Sequence, residues 1–349
     1  MRTATVSWLR SGDSTSSRGE ILYCGDLCGR NAQLVYGFDG WRPPVHRVPL
    51  QPLGLGMAVA EIGGLDGHLT LDCAVTDGER WDNNSGADYR LWIGFEPIDA
   101  HLHVSGEGYG PLGVRGLEVA MASAGINCGI TSWPENHLLD RLDPGPVQLF
   151  PLVWVKPGET SAREVCARLK RGAVGLKLHP AIDSYRADDP EIDRYLDVAS
   201  DFGCPVACHT APGNCDPDRI RRLAERFPWA PVVMYHTFLG PDEGRWRAAM
   251  HVREQPNLYL ETSWCGWRVV AQLVKQVGAE RVMFGSDAAA DGPHHYDRNP
   301  PNVEGRETYK EGLLSLVKAI GRRNARQVMA NTARHVFGLD RRAGNSPVS

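Results

Sequence analysis

The chain has 349 residues, enough for two domains, and its 42% hydrophobic and 23% charged residues are globular proportions that exclude a disordered, collagenous or coiled-coil chain. Lysine and arginine number 38 against 42 aspartates and glutamates, a net charge of −4. No basic run breaks that balance, so neither nucleic acid nor an anionic membrane surface is an expected partner.

The first residues meet serine and aspartate before an apolar stretch of signal-peptide length can form, and no apolar run is long enough to span a membrane. Nine irregularly spaced cysteines read as reduced thiols, and the chain is expected to be cytoplasmic. Residues 1–18, rich in Ser, Thr, Gly and Asp toward their end, are expected to be a flexible lead-in. From 19 to 95 the texture is β. Short runs at 33–36, 57–62, 68–75 and 89–93 are separated by Gly, Asp and Asn turns at 37–40, 63–67 and 82–86. Such spacing predicts a small all-β sandwich.

From residue 96 the rhythm becomes strand, helix, strand, helix. Strands are expected at 98–103, 126–131, 147–155, 174–179, 205–209, 231–236, 257–262 and 281–287. Amphipathic helices are expected at 114–124, 162–171, 191–202, 217–227, 245–254, 269–277 and 308–320. Ser161, with Glu164 three residues on, reads as a capping box. The link around 135–142 carries only a short helix. A last helix at 325–337 precedes a tail at 341–349. Eight strand–helix units over 96–340 have the size and alternation of a (β/α)8 TIM-like barrel, fold class α/β. A doubly wound open sheet is the runner-up, but no Gly-rich phosphate turn follows any strand.

The chemistry lies where polar residues fall within those strands. His101 and His103 end the first, two residues apart, which puts both imidazoles on one face of an extended chain. His179 ends the fourth strand, His209 the fifth, His236 the sixth and Asp287 the eighth. Parallel barrel strands open all their C-terminal ends on one face, so these groups would meet at one mouth. One strand-end histidine alone is ordinarily half buried with a backbone partner. Core packing does not explain why the polar group is each time the last residue of its strand.

The series Asp99-Ala-His-Leu-His103, Val174-Gly-Leu-Lys-Leu-His-Pro180, Val206-Ala-Cys-His209, Met234-Tyr-His236, Leu258-Tyr-Leu-Glu-Thr-Ser263, Phe284-Gly-Ser-Asp287 and Asn331-Thr-Ala-Arg334 resembles the amidohydrolase superfamily. Within it, the match is to the amidohydrolase 2 branch, which also contains metal-dependent decarboxylases. The resemblance spans about residues 97–340. It implies one divalent metal, most often zinc, held by His101, His103, His209 and Asp287, with His236 polarising the reacting group or handling a proton beside Asp287. Manganese, iron or cobalt suit the same ligands. Two-metal members place a carboxylated lysine or a glutamate on the fourth strand. Here His179 stands at the mouth with Lys177 two residues deeper, so a single metal is expected. His179 would then touch substrate or the metal's water, and a second ion on a modified Lys177 is the alternative. Loops after the seventh and eighth strands would line the mouth, which adds Trp264, Trp267, His294, His295 and Tyr296 to Lys177 and His179 as substrate contacts.

Trp81-Asp-Asn-Asn84 with Gly86 and Tyr89, and Tyr36-Gly-Phe-Asp-Gly-Trp41, look like a starch-binding carbohydrate-binding module, an immunoglobulin-like sandwich, over roughly 19–94. That likeness implies a glycan contacted by Trp41, Trp81 and His46; a structural cover or lid for the barrel is the alternative. The barrel's resemblance implies a metal-dependent hydrolase of an amide, lactam, ester or lactone of a small molecule, and the sandwich hints at a saccharide derivative. The rival is a decarboxylase on the same ligands, disfavoured because no arginine stands at a strand end to meet a carboxylate and Lys177 lies too deep. A non-catalytic carbohydrate-binding protein would need a broken metal site. A homodimer is expected only because such barrels commonly pair.

Overall fold

The structure is a computed structural model that describes residues 4–10, 17–29, 31–103, 113–140, 147–288, 296 and 308–340. The chain falls into two compact units, one of residues 1–97, 115–127 and 144–148, the other of residues 98–114, 128–143 and 149–349.

The first unit carries strands β1 (Thr5–Arg10), β2 (Arg18–Cys24), β3 (Gln33–Phe38), β4 (Arg42–Pro49), β5 (Gln51–Gly54), β6 (Met57–Gly63), β7 (Thr70–Thr76), β8 (Trp81–Asp82) and β9 (Tyr89–Trp92). One antiparallel sheet runs β1-β2-β6-β5, and the other runs β4-β3-β7-β8 with β9 also on β7. Every second residue of β2 and β6 is buried, the period of a strand with one wet face. Ile21, Tyr23 and Ala58 of one sheet share a core with Leu34, Tyr36, Leu71 and Cys73 of the other. The four expected strand segments are all present. Beyond them, β1 forms within the expected lead-in, pairing from Thr5 opposite Cys24. The edge strands β4 and β5 are exposed and hold Pro43, Pro44, Pro49 and Pro52, residues that hide a strand from pattern reading. Helix α1 (Gly113–Ala124) groups with these sheets: Asn84 Nδ2 donates to the Val119 carbonyl and Trp92 Nε1 to that of Ala124, each at 2.9 Å.

The second unit holds strands β10 (Ile98–Leu102), β11 (Cys128–Thr131), β12 (Gln148–Val155), β13 (Gly175–Leu178), β14 (Val206–His209), β15 (Val232–Tyr235), β16 (Leu258–Glu261) and β17 (Val282–Met283), side by side in sequence order. Backbone hydrogen bonds close the ring: Ala100 N donates to Phe284 O, Asp287 N to His101 O and His103 N to Ala288 O, at 2.9–3.0 Å. Around the strands lie α2 (Asn136–Leu139), α3 (Ala162–Lys170), α4 (Asp193–Asp201), α5 (Pro217–Arg226), α6 (Asp242–Glu254), α7 (Trp267–Val277), α8 (Tyr309–Arg326) and α9 (Thr332–Val336). Leu176, Leu178, Val206, Cys208, Val232 and Met234 pack outward among helix residues such as Leu196, Ile220 and Val252. The alternate residues Lys177, Ala207 and Val233 lie in one hydrogen-bonded row, and two residues further along their strands come His179, His209 and Tyr235.

Ser161 caps α3 by accepting from Glu164 N, but the Glu164 carboxylate takes Arg168 Nε at 3.0 Å, so only half of the expected capping box forms. Thr308 and Glu311 make both halves at the start of α8. Gly321, at φ 79°, breaks α8 where the sequence places the end of its helix. Among the described residues no helix is long and apolar enough to cross a membrane, and the nine cysteines are free thiols.

Candidate metal centre

His101 Nε2 and His103 Nε2 stand 3.0 Å apart, with Asp287 Oδ1 3.3 Å from the first and 3.2 Å from the second. The opposite ring nitrogens decide what those atoms offer. His101 Nδ1 faces Glu261 Oε2 at 3.0 Å, and His103 Nδ1 faces the Ser132 carbonyl oxygen at 3.1 Å. Both partners accept, so each Nδ1 carries the proton and each Nε2 is bare. Two lone pairs and a carboxylate oxygen thus converge within 4.8 Å of one another, an array that repels itself unless a cation stands among them. Neutral imidazoles with a carboxylate are the donors of a divalent transition metal, and these residues fit one. Lys177, wholly buried, brings its Nζ to 3.2 Å from His101 Nε2 and 4.1 Å from the centre of the Tyr235 ring.

A second pair of histidines borders this group. His236 Nε2 lies 3.0 Å from His209 Nδ1, and the His236 ring centre is 5.0 Å from that of His101. His209 stacks on His179 at 4.0 Å, and His179 stacks on Trp154 at 5.5 Å. Strand alternation alone would turn His236 outward with Met234. A left-handed φ of 67° after β15 re-aims it, and Thr237, Trp264 and Asp287 share that conformation at 56°, 65° and 60°. Such residues cost roughly 1–3 kcal/mol each and persist where surrounding contacts impose them.

Burial, the largest influence on each, pushes His236 down to about 4 and His179 to about 3, and holds His101 and His209 well below the usual imidazole range. All four are therefore neutral near pH 7. Burial also lowers Lys177 to about 8, against the pull of Asp287 and Glu261, so the amine is largely cationic. Burial opposes ionisation of Asp287, and the charge that His101, His103 and His236 gain on acidification holds the carboxyl well below the usual range.

Several supports were not foreseen from sequence. Glu261 Oε2 accepts from His101 Nδ1, from His236 N at 3.0 Å and from Ser263 Oγ at 2.8 Å, while Oε1 accepts from Ser263 N. Burial raises this carboxyl, against hydrogen bonds from the His236 and Ser263 backbone N–H groups and the Ser263 hydroxyl that favour its ionised form. Asp99 accepts from the backbone of His101 and Ser286, both at 3.0 Å, and from the Ser286 and Tyr296 hydroxyls. The available signal was an acid inside an otherwise apolar, buried strand; Ser132 and Trp154 carried none.

The remaining expected contacts separate. Trp264 donates its indole N–H to Asp287 Oδ2 at 2.6 Å, so that group orients the carboxylate. Tyr296 is wholly buried and donates its hydroxyl to Asp99. Trp267 opens α7 and packs against the core, lining a small apolar cavity with Tyr309, Leu313 and Leu316. His294 and His295 lie outside the described residues. In the first unit, Trp41 donates to Asp88 Oδ2 at 3.0 Å, His46 stacks on Tyr36 at 5.0 Å, and Trp81 is 52% exposed with the Arg47 guanidinium 5.7 Å from its ring centre. The Trp-Asp-Asn-Asn segment is knitted into its own fold: Asp82 accepts from the Tyr23 hydroxyl at 2.7 Å and the Tyr89 hydroxyl at 2.8 Å.

Residues 98–339 match the family model described as Amidohydrolase. Among solved structures, the putative 2-pyrone-4,6-dicarboxylic acid hydrolase from Pseudomonas putida is 17% identical with a TM-score of 0.51, covering 70% of this chain and 98% of its own. The 5-carboxyvanillate decarboxylase from Sphingomonas paucimobilis is 13% identical with a TM-score of 0.50, covering 70% and 99%. The 4-oxalomesaconate hydratase from Rhodopseudomonas palustris is 14% identical with a TM-score of 0.50, covering 71% and 98%. At these identities the likeness is one of fold. No curated protein matches the chain.

Proposed function

Because the chain belongs to the amidohydrolase family over residues 98–339, we propose that it is a metal-dependent hydrolase of a small-molecule amide, lactam, ester or lactone. The observation that carries this reading is the convergence of His101 Nε2, His103 Nε2 and Asp287 Oδ1. Those three would hold the ion, with His209 completing the set; zinc leads, and manganese, iron or cobalt suit the same donors. When bound, a divalent ion there supplies Lewis acidity and lowers the pKa of water to about 7.

The protein's own groups do the rest. Asp287, ionised and steered through Oδ2 by Trp264, takes the proton of the attacking water and returns it to the leaving group. His236, neutral and buried beside His209, would polarise the reacting group or handle a proton beside Asp287. Lys177 places a buried positive charge where a substrate oxygen gains negative charge, and His179 presents a ring against which a planar substrate packs.

Lys177 also favours a second reading, decarboxylation, because a buried cation beside the ligands can meet a substrate carboxylate. Purified protein is expected to contain about one equivalent of divalent ion. Chelation should abolish hydrolysis of a lactone and ester panel, and zinc should restore it with labelled water oxygen entering the product. Full turnover after complete chelation rejects both readings, whereas carbon dioxide release without label assigns the lyase.

A further inference from the structure

Behind the histidines, Ser263 and Glu261 decide which nitrogen of each ring is bare. Ser263 Oγ lies 2.8 Å from Glu261 Oε2 and 2.8 Å from His236 Nδ1, and a hydroxyl has one proton to give. Glu261 already receives Ser263 N–H, His236 N–H and His101 Nδ1–H, the surroundings of an accepting carboxylate, so the hydroxyl proton points to Glu261. Ser263 Oγ then offers His236 only lone pairs. His236 Nδ1 must carry a proton, and His236 Nε2 must be bare. That bare nitrogen is 3.0 Å from His209 Nδ1. Two bare nitrogens repel at such a distance, so His209 Nδ1 is protonated and His209 Nε2 is left free to bind.

We propose that Ser263, aligned by Glu261, is the positioning residue that sets the tautomer of His236 and, through it, that of His209, so that His209 Nε2 is presented as a metal ligand. This rests on the metal-site reading above. One carboxylate then governs three imidazoles: His101 directly, His236 through one hydroxyl, and His209 through His236. A reversed hydroxyl would reverse the chain and leave His209 with an Nε2–H that cannot ligate. Partners behind ligand histidines typically change metal affinity 10–100-fold.

Long-range proton–nitrogen correlation spectra of the full chain, histidine-labelled and metal-free, read the tautomers. The unmodified protein is expected to show both His236 and His209 protonated at Nδ1; His236 protonated at Nε2 overturns the proposal whatever any variant does. Ser263→Ala is expected to mix both tautomers and to weaken zinc in chelator competition by about 10–100-fold. Ser263→Thr, which keeps the hydroxyl, should restore both readouts. Unchanged tautomers and zinc affinity in Ser263→Ala overturn the proposal. If the unmodified chain takes up no divalent ion, the metal-site reading fails, while the metal-free spectra still judge the relay.

Discussion

His101 shows how little of a side chain's chemistry is its own. Its ring could present either nitrogen, and a wholly buried carboxylate 160 positions away, Glu261, decides that Nε2 faces the centre. Asp287 is treated alike: Trp264 takes Oδ2, leaving Oδ1 for the histidines. Trp264→Phe keeps the ring and removes the donor, so zinc affinity in chelator competition should fall about 10-fold or more with little change in the unfolding midpoint. Asp287→Asn keeps the shape but not the charge or the basicity. Turnover should drop by roughly 100-fold or more, and one-equivalent metal uptake should be lost. An Asp287→Asn protein with near-native turnover would show that the proton acceptor lies elsewhere.

Strands and helices contribute placement more than chemistry. β13 and β14 put Lys177 beside Ala207 in register, and two residues later the chain delivers His179 and His209 together. The ring closes next to His101 and Asp287, where Asp99 on β10 accepts from Ser286 and Tyr296, so one buried carboxylate joins the first strand to the last. The helices are more independent. Ser161→Ala removes the α3 cap bond and should lower stability by about 1 kcal/mol by denaturant titration, with Ser161→Asp close to neutral. Metal content should not change in either. Pattern reading found the barrel strands because each is a short apolar run between amphipathic helices. It missed β4 and β5 because exposed, proline-bearing edges leave no alternation to read.

Taken over the whole chain, the site stores opposing proton preferences. In the metal-free protein His101, His179, His209 and His236 are all pushed down, chiefly by burial, so below pH 6.5 the unfolded chain binds protons that the native rings refuse. Their contribution to stability therefore rises with pH and is lost on acidification. Asp99, pushed up to about 6 by burial, acts in the opposite sense, holding a proton in the native state that the unfolded chain releases. Four imidazoles outweigh one carboxyl, so the unfolding midpoint of chelated protein should fall between pH 6.5 and about pH 5. A midpoint that climbs over that interval would contradict the burial of neutral rings. Zinc at 100 times its Kd should add about 2.7 kcal/mol at fixed pH.

The alternation of strand and helix, the row of strand-end histidines and the pairing of His101 with His103 are all properties of local spacing, and spacing is written in the chain itself. It therefore determined the barrel and singled out His101, His103 and Asp287, whose donor atoms the structure brings together. Tautomers, the turn of His236 against its strand's alternation, the engagement of Tyr296 by Asp99 and the part played by Ser263 depend on contacts between residues far apart in sequence. Only the tertiary structure could decide these, because a side chain's proton and direction are set by whichever distant group the fold places beside it.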